Sequence, residues 1–305
     1  MKQITSKTAL WLTCIAILAL VSCSKDSHGE RQGLAVSFVM PNDDAIDDIQ
    51  LWIFNSNDVL ENEYSFESAA AMARNLLPLV VGKHTVVTGT NFTAPFSYST
   101  TIGTTKMDEL LVLLTDAKAS PSHAHYGIQA VNIKENGITQ AVVKMNRALA
   151  ELQFSIRNVP TEVVSVEAEV LNCAKGFYPA TGRLTEETAQ VDMGKQVPVN
   201  GDVNFPLLRV MPVVEPTSMR AVEETKTHIR FIFTFNDGKS TEVEVIVPIM
   251  QNGGSYAPEV EYDTLKDKVI VDITSIPDWV DDSMGSGEAV EEQNDIIKSF
   301  KKQKV

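Results

Sequence analysis

The sequence has few cysteines, and they cannot supply a disulfide framework. Three occur in 305 residues, at positions 14, 23 and 173. The first two fall in the export segment described below, so Cys173 would have no partner in the mature chain. An unpaired cysteine of this kind is more often a small apolar core residue than a nucleophile. We therefore expect Cys173 to be buried.

Basic residues are scarce relative to acidic ones. Lysine and arginine number 26 against 40 aspartates and glutamates, so the formal net charge is −14. Loss of Lys2 and Lys7 with an export signal would bring the charge to −16. Phosphates repel a surface this acidic, which argues against nucleic-acid binding and against general attraction to anionic lipid.

Long apolar runs are absent beyond the N-terminus. The single run starts at Ala9, follows two lysines, and ends in Leu20-Val21-Ser22-Cys23. This order predicts a bacterial lipoprotein signal over residues 1–22, cleaved before Cys23, whose thiol takes lipid such as palmitate. We prefer this interpretation to an uncleaved signal anchor or to secretion with an incidental cysteine. The membrane contact would then rest on acyl chains, each buried CH₂ contributing about 0.8 kcal/mol.

Catalytic motifs are also absent. The sequence has no Gly-x-Ser-x-Gly elbow, no phosphate loop and no His-Glu-x-x-His. His123 and His125 could share a strand face, but no third ligand is near, so we expect a solvent-exposed pair rather than a metal site. We expect His84 to be structural, and Asn91-Phe92-Thr93 is too short a pattern to indicate glycosylation. The sequence predicts no enzyme, no catalytic residue, no cofactor and no metal.

Period-two alternation of apolar residues is what the sequence does contain. It begins at Gly33 and recurs along the chain, which predicts half-buried strands. Asn136-Gly137 and Asp237-Gly238 each separate two such runs, which is typical of hairpins. The alanine-rich residues 66–77 instead have helical spacing, and Pro78 would end that helix. Residues 175–183 contain Pro179 and Gly182 and are predicted to be loop.

Short strands, frequent turns and few helices predict an all-β protein built from β-sandwiches. The strands form two sets divided near Asn146, so we expect an N-terminal sandwich over residues 33–147 and a C-terminal one over 148–280. Residues 23–32 are polar and are predicted to be a tether. Residues 281–305 would be a charged tail, either a short helix or mobile chain.

Several segments together resemble a known family, with His84 standing where that family usually has tyrosine. They are Gly33–Phe38, Ile49–Phe54, Leu79–Val87 and Val142–Ile156. In this order, behind a lipoprotein signal, they are similar to the FimB-type anchor subunits of Bacteroidetes fimbriae.

The resemblance implies two tandem transthyretin-like β-sandwich domains, with the predicted short helix in the first. It also implies a non-catalytic, lipid-anchored subunit, surface-exposed on the cell outer membrane at the base of a fimbrium (pilus). Such a subunit limits fimbrial length and contacts neighbouring fimbrillin subunits by strand exchange.

Two other functions remain open at this stage. Surface glycan-binding lipoproteins also use tandem β-sandwiches, but they expose aromatic platforms for sugar rings. Aromatic residues make up 7% of this chain, and Trp279, Tyr178 and Tyr256 are the only ones that the pattern leaves available. A tip or accessory fimbrillin is the other alternative, and it would have a cleaved N-terminus.

Overall fold

The computed structural model describes residues 32–41, 46–116, 119–212, 227–247, 250–266 and 270–272. The predicted signal peptide, Cys23, nearly all of the tether, Trp279 and the charged tail lie outside the described residues. Within them, no helix has the length and apolar character needed to cross a membrane.

The described chain is almost entirely β-structure. The strands are β1 Gly33–Val39, β2 Ile49–Asn55, β3 Leu60–Phe66, β4 Gly82–Thr90, β5 Phe96–Tyr98, β6 Val112–Leu114, β7 His125–Ile133, β8 Ile138–Arg147, β9 Ala150–Leu152, β10 Ser155–Arg157, β11 Val163–Ala174, β12 Gly176–Tyr178, β13 Arg183–Leu184, β14 Thr188–Gln196, β15 Val203–Asn204, β16 Leu208–Val210, β17 His228–Phe235, β18 Ser240–Ile246, β19 Ser255–Tyr256, β20 Glu259–Glu261 and β21 Ile270–Asp272. The helices are α1 Ala69–Ala73 and α2 Tyr262–Lys266, with a 3₁₀ turn at Met107–Glu109.

The strands form sheets in each half of the molecule. In the first half, a six-stranded sheet has the order β1-β8-β7-β4-β2-β3, and a four-stranded sheet has the order β13-β12-β6-β5. In the second half, a five-stranded sheet has the order β14-β11-β17-β18-β21. Two three-stranded sheets, β15-β10-β20 and β16-β9-β19, accompany it. The predicted all-β architecture of two tandem sandwiches, with a short helix in the first, is confirmed.

The six-stranded sheet is covered on both faces where β2 crosses it. Leu51 and Ile53 pack on one face, in a cluster that includes Met72 of α1. Trp52 and Phe54 pack on the other, against the four-stranded sheet. Because its neighbours cover both sides, β2 is buried along nearly its whole length, as its two-sided apolar pattern predicts.

The second half has its own aromatic core. The ring of Phe231 lies 4.9 Å from that of Phe154 and 5.9 Å from that of Phe205, measured between centroids. The predicted hairpin of β17 and β18 is confirmed, with Phe231 opposite Val243. The hairpin of β7 and β8 is also present, and Gly137 in its turn has a φ of 91°.

Two local predictions are wrong. The predicted helix over residues 66–77 is only the five residues of α1, and Ser68 caps it by accepting the backbone N–H of Ala71 at 3.2 Å. Residues 175–183, predicted to be loop, contain β12 and the start of β13. These strands complete the four-stranded sheet of the first half, since Gly176 pairs with Leu113. The division of the chain between residues 147 and 148 stays a prediction.

Candidate functional site

Strand β1 is an edge strand that closes the core of the first half. It runs parallel to β8, with Gly33 opposite Ile138 and Val39 opposite Lys144. Leu34 and Val36 are buried in the same cluster as Val143 of β8. The alternation predicted from the sequence therefore places the apolar face of β1 inward, over a groove that would be open without this strand.

The start of β1 is held on its outer side as well. The backbone N–H of Leu34 donates to the carbonyl oxygen of Leu77 at 2.8 Å, and that of Leu77 donates back at 2.9 Å. A β-carbon on Gly33 would lie 2.7 Å from the Cγ of Leu76 and 2.8 Å from the carbonyl oxygen of Leu77. Glycine is therefore the residue that this close approach allows.

The last described strand is also an edge strand with a parallel neighbour. β21 pairs with β18, where Ile270 lies opposite Glu244 and Asp272 opposite Ile246. Among the described strands, both the first and the last thus lie at sheet edges. Sheet edges carry main-chain groups that can pair with a strand from another chain.

Cys23, the predicted lipid-attachment residue, lies outside the described residues, and its role stays a prediction. Cys173 is fully buried in the core of the second half, as predicted. Burial raises the pKa of its thiol to about 12. A thiol in this setting carries no nucleophilic thiolate at neutral pH.

The predicted exposed histidine pair is wrong for His125. This residue is fully buried, and its Nδ1 lies 3.2 Å from the hydroxyl of Thr90. The ring of His123 instead contacts the second half, with Nε2 2.7 Å from Nη2 of Arg209 and Nδ1 3.6 Å from Glu151. Arginine can only donate, so the Nε2 of His123 is the acceptor. Among the described residues, no group of three potential metal ligands occurs.

His84 is structural, as predicted. Its side chain is buried, and Nε2 lies 2.9 Å from the carbonyl oxygen of Val80. Nδ1 lies 3.1 Å from a carboxylate oxygen of Glu61 on β3. The carbonyl oxygen of Val80 can only accept, so Nε2 of His84 is the donor in that hydrogen bond. The side chain thus ties β4 to the loop before it, while Nδ1 and the Oε2 of Glu61 are close but make no hydrogen bond.

Asn91 and Phe92 of the glycosylation pattern are buried, and so is one of the three candidate sugar-binding aromatics. The Oδ1 of Asn91 accepts the backbone N–H of Asp47 at 2.9 Å. Tyr256 packs in the core of the second half, and the guanidinium of Arg183 lies 4.0 Å above the ring of Tyr178. Of these three aromatic residues the structure describes two: Tyr256 is buried, and Tyr178 is half-buried with Arg183 over one face of its ring.

The contact that joins the two halves was not predicted from the sequence. Phe177 on β12 is fully buried, and its ring lies 5.6 Å from that of Phe92 and 5.5 Å from that of Tyr126. Ala148 and Met211 belong to the same cluster. The only sequence signal for this contact was an aromatic pair inside a segment bounded by turn residues.

Comparison with known families gives one match over most of the chain. A family model described as fimbrillin-A associated anchor proteins Mfa1 and Mfa2 matches residues 23–278. Its first matched residue is Cys23. No curated protein matches the chain.

Solved structures share the fold. The fimbrial anchor protein Mfa2 from Porphyromonas gingivalis is 13% identical, with a TM-score of 0.54, over 74% of this chain and 90% of that one. A candidate adhesin from Bacteroides ovatus is 12% identical, with a TM-score of 0.56, over 83% and 97%. A candidate polysaccharide-binding protein from Bacteroides thetaiotaomicron is 14% identical, with a TM-score of 0.52, over 69% and 78%.

Proposed function

The chain belongs to the family of fimbrillin-A associated anchor proteins Mfa1 and Mfa2, and on that basis we propose that it is the lipid-anchored base subunit of a fimbrium. The observation that carries the proposal is the family match, which begins at Cys23. In this role Cys23 takes the lipid after cleavage of residues 1–22, and the acyl chains hold the protein in the cell outer membrane. Its partners are fimbrillin subunits, and one subunit at the base limits fimbrial length.

A retained β1 fits an anchor. A subunit held through Cys23 cannot give up its N-terminal strand without leaving its own lipid. In this structure β1 fills its groove and pairs with β8 along its full length. A load on the tether would reach the fold at Gly33, the first residue of β1.

The substitution Cys23→Ala tests the anchor. We expect both sandwiches to fold and the fimbriae to appear in the culture medium instead of on the cells. The matched control is Cys173→Ala, which removes the other cysteine of the mature chain and should leave the fimbriae on the cells. Electron microscopy of cells and immunoblots of the medium measure both variants. Fimbriae that stay cell-bound in the Cys23→Ala strain would exclude the proposal.

Contact with the neighbouring fimbrillin is assigned to the C-terminal region, from Val269 onward. Because β1 stays in place, the exchanged strand has to involve another edge, and β21 lies at one. A chain that ends after Asp267 should leave the fimbria unattached while the subunit stays in the membrane. A chain that ends after Val280 keeps β21 and is the control. Unchanged attachment after the shorter truncation would contradict this contact.

Glycan binding is the second candidate, and the likeness to the candidate polysaccharide-binding protein favours it. Against glycan binding, Tyr256 is buried, although it is one of the three aromatic residues that were expected to be available for sugar rings. A glycan array probed with the purified protein separates the two functions. A tight glycan ligand would favour this candidate, and its absence together with co-purification of a fimbrillin would favour the anchor.

A further inference from the structure

The tether leaves the protein at one corner of the six-stranded sheet. Gln32 is the first described residue, and its side-chain amide reaches the carbonyl oxygen of Leu79 at 3.4 Å. Gly33 pairs with Ile138 at the start of β8. The loop before β4 and the turn between β7 and β8 therefore lie beside the point where the tether begins.

Three large apolar side chains are exposed at this corner. Val80 is 62% exposed, Val81 49% and Ile138 53%. Gly82 pairs with Ile133, so Val81 lies next to the turn that leads to Ile138. Strands β4, β7 and β8 are neighbours in the sheet, which separates Val81 from Ile138 by two strand spacings, about 10 Å.

The same corner is locally basic on an acidic protein. Lys83 and Lys134 are both exposed, and among the described residues neither forms an ion pair with an acidic side chain. Glu135 is the one carboxylate in the turn between β7 and β8. Of the other acidic residues at this end of the sheet, Glu61 on β3 is half-buried beside His84, and Asp58 is exposed after β2.

Exposed aliphatic side chains flanked by unpaired lysines are typical of a surface that binds lipid. The aliphatic groups enter the headgroup region, and the ammonium groups bind lipid phosphates. The distance along the chain allows this contact. From Cys23 to Gly33 the chain spans at most about 35 Å, and less when it is not fully extended.

We propose that this basal corner, formed by Val80, Val81, Lys83, Lys134 and Ile138, docks on the bilayer that holds the lipid of Cys23. The inference rests on the proposed lipid anchor. The lipid attaches the protein to the membrane at one point. The basal corner adds a second contact, which determines the orientation of the molecule relative to the membrane. β1 rises from this corner, so the fimbrium-facing half is directed away from the membrane.

Fluorophores attached to single introduced cysteines test the docking. The full-length lipoprotein is reconstituted in vesicles of phosphatidylethanolamine and phosphatidylglycerol, where lipidation of Cys23 and burial of Cys173 leave only the introduced thiol for labelling. Labels at V81C and I138C should be quenched by lipid-borne doxyl groups. Val142 is 54% exposed on the same strand as Ile138. It lies four residues, about 13 Å, further from the corner, and V142C is the matched control.

We expect quenching at V81C and I138C to exceed that at V142C at least about twofold, with none at V199C in the second half. Equal quenching at I138C and V199C, on protein that still floats with the vesicles, would overturn the docking and leave the lipid anchor intact. Shielding of I138C that persists in detergent without vesicles would show a protein occupant and would also overturn it. Protein that does not float with vesicles would overturn both the anchor and the docking.

A second measurement does not depend on the lipid. The mature chain carrying Cys23→Ala, prepared without residues 1–22, should still bind the same vesicles weakly through the basal corner. Adding V81D and I138D should weaken that binding about tenfold, while V142D should not. Because all three positions are exposed, misfolding would affect the control as much as the test variant. Equal binding by the two variants would contradict the proposal.

Discussion

Leu34 and Leu77 exchange two backbone hydrogen bonds, at 2.8 and 2.9 Å, and so tie the first residues of the mature fold to the segment before β4. The rest of β1 is paired with β8 on its other side. The strand that carries the tether is thus held from two directions at its loaded end. For an anchor this arrangement resists the removal of β1, which in a polymerising subunit would open the groove.

The first prediction concerns the close packing at this point. Gly33→Ala would place a β-carbon within 2.8 Å of Leu76 and Leu77, so one of the strands has to move. We expect the free energy of unfolding to fall by about 1–3 kcal/mol, the usual cost of overpacking. Urea titration followed by far-UV circular dichroism measures it.

Ser37→Ala is the control for this prediction, since Ser37 is exposed on the same strand. Its effect should stay within about 0.5 kcal/mol, as for most surface substitutions. Equal unfolding midpoints for the two variants would show that the contact between β1 and Leu77 is loose.

The second prediction concerns the joint between the halves. Phe177→Ala should cost about 3–5 kcal/mol, because it leaves a cavity between Phe92 and Tyr126. Trp52 belongs to the same cluster. In a Trp279→Phe background, its fluorescence should therefore report earlier unfolding of the first half.

The control for the joint is Phe231→Ala, in the separate core of the second half. It should shift the unfolding seen by circular dichroism more than that seen by Trp52. If Phe177→Ala leaves the Trp52 transition unchanged, β12 does not contribute to the stability of the first half.

Much of the fold could be predicted from local sequence patterns. The alternation in β1, the two-sided apolar run of β2 and the Asp237-Gly238 hairpin could be read from single segments, because each depends on side-chain period or turn geometry alone. Burial of Cys173 was predicted because it would have no disulfide partner, and the structural role of His84 because it alternates with Val86 along a strand; both side chains are buried.

Partner choice between distant segments could not be predicted. β12 pairs with β6, more than 60 residues earlier, and its own sequence is flanked by the turn residues Pro179 and Gly182. His125 looked exposed because it follows the loop of Ser120, Pro121 and Ser122, but the fold places Thr90 beside it. The parallel pairing of β1 with β8 could not be predicted from side-chain period. An edge strand can show the same alternation of apolar and polar residues whether its neighbour is parallel or antiparallel.

The third prediction concerns the thiol of Cys173. Because burial raises its pKa to about 12, neither the thiolate nor access is available in the folded protein at pH 8. In the Cys23→Ala chain, an aromatic disulfide reagent should fail to titrate this thiol until urea unfolds the protein, and then titrate it fully. A cysteine placed by Val199→Cys should react at once. Rapid reaction of Cys173 in the folded state would show that the core of the second half opens.

The fourth prediction is a pH dependence of the clamp made by Arg157. Its guanidinium joins the segments on either side of β10: Nη1 lies 2.7 Å from Asp202, the residue before β15, and Nη2 lies 2.7 Å from Glu259 of β20. The hydrogen bond from Arg157 holds the pKa of Glu259 below its ordinary value of 4.5. A carboxylate with a lowered folded-state pKa contributes stability above its unfolded pKa, and that stability is lost as the pH falls through the folded-state pKa.

Arg157→Met should therefore lower the urea midpoint at pH 7, and this difference from the unsubstituted protein should shrink at a second, acidic pH below the folded-state pKa of Glu259. Lys239→Met is the matched control. Lys239 also lowers the pKa of its partner, Asp237, but the two lie within one turn and join no strands. Its substitution should change the midpoint less at pH 7. An Arg157→Met loss that is the same at both pH values would mean that the clamp stabilises by packing rather than by charge.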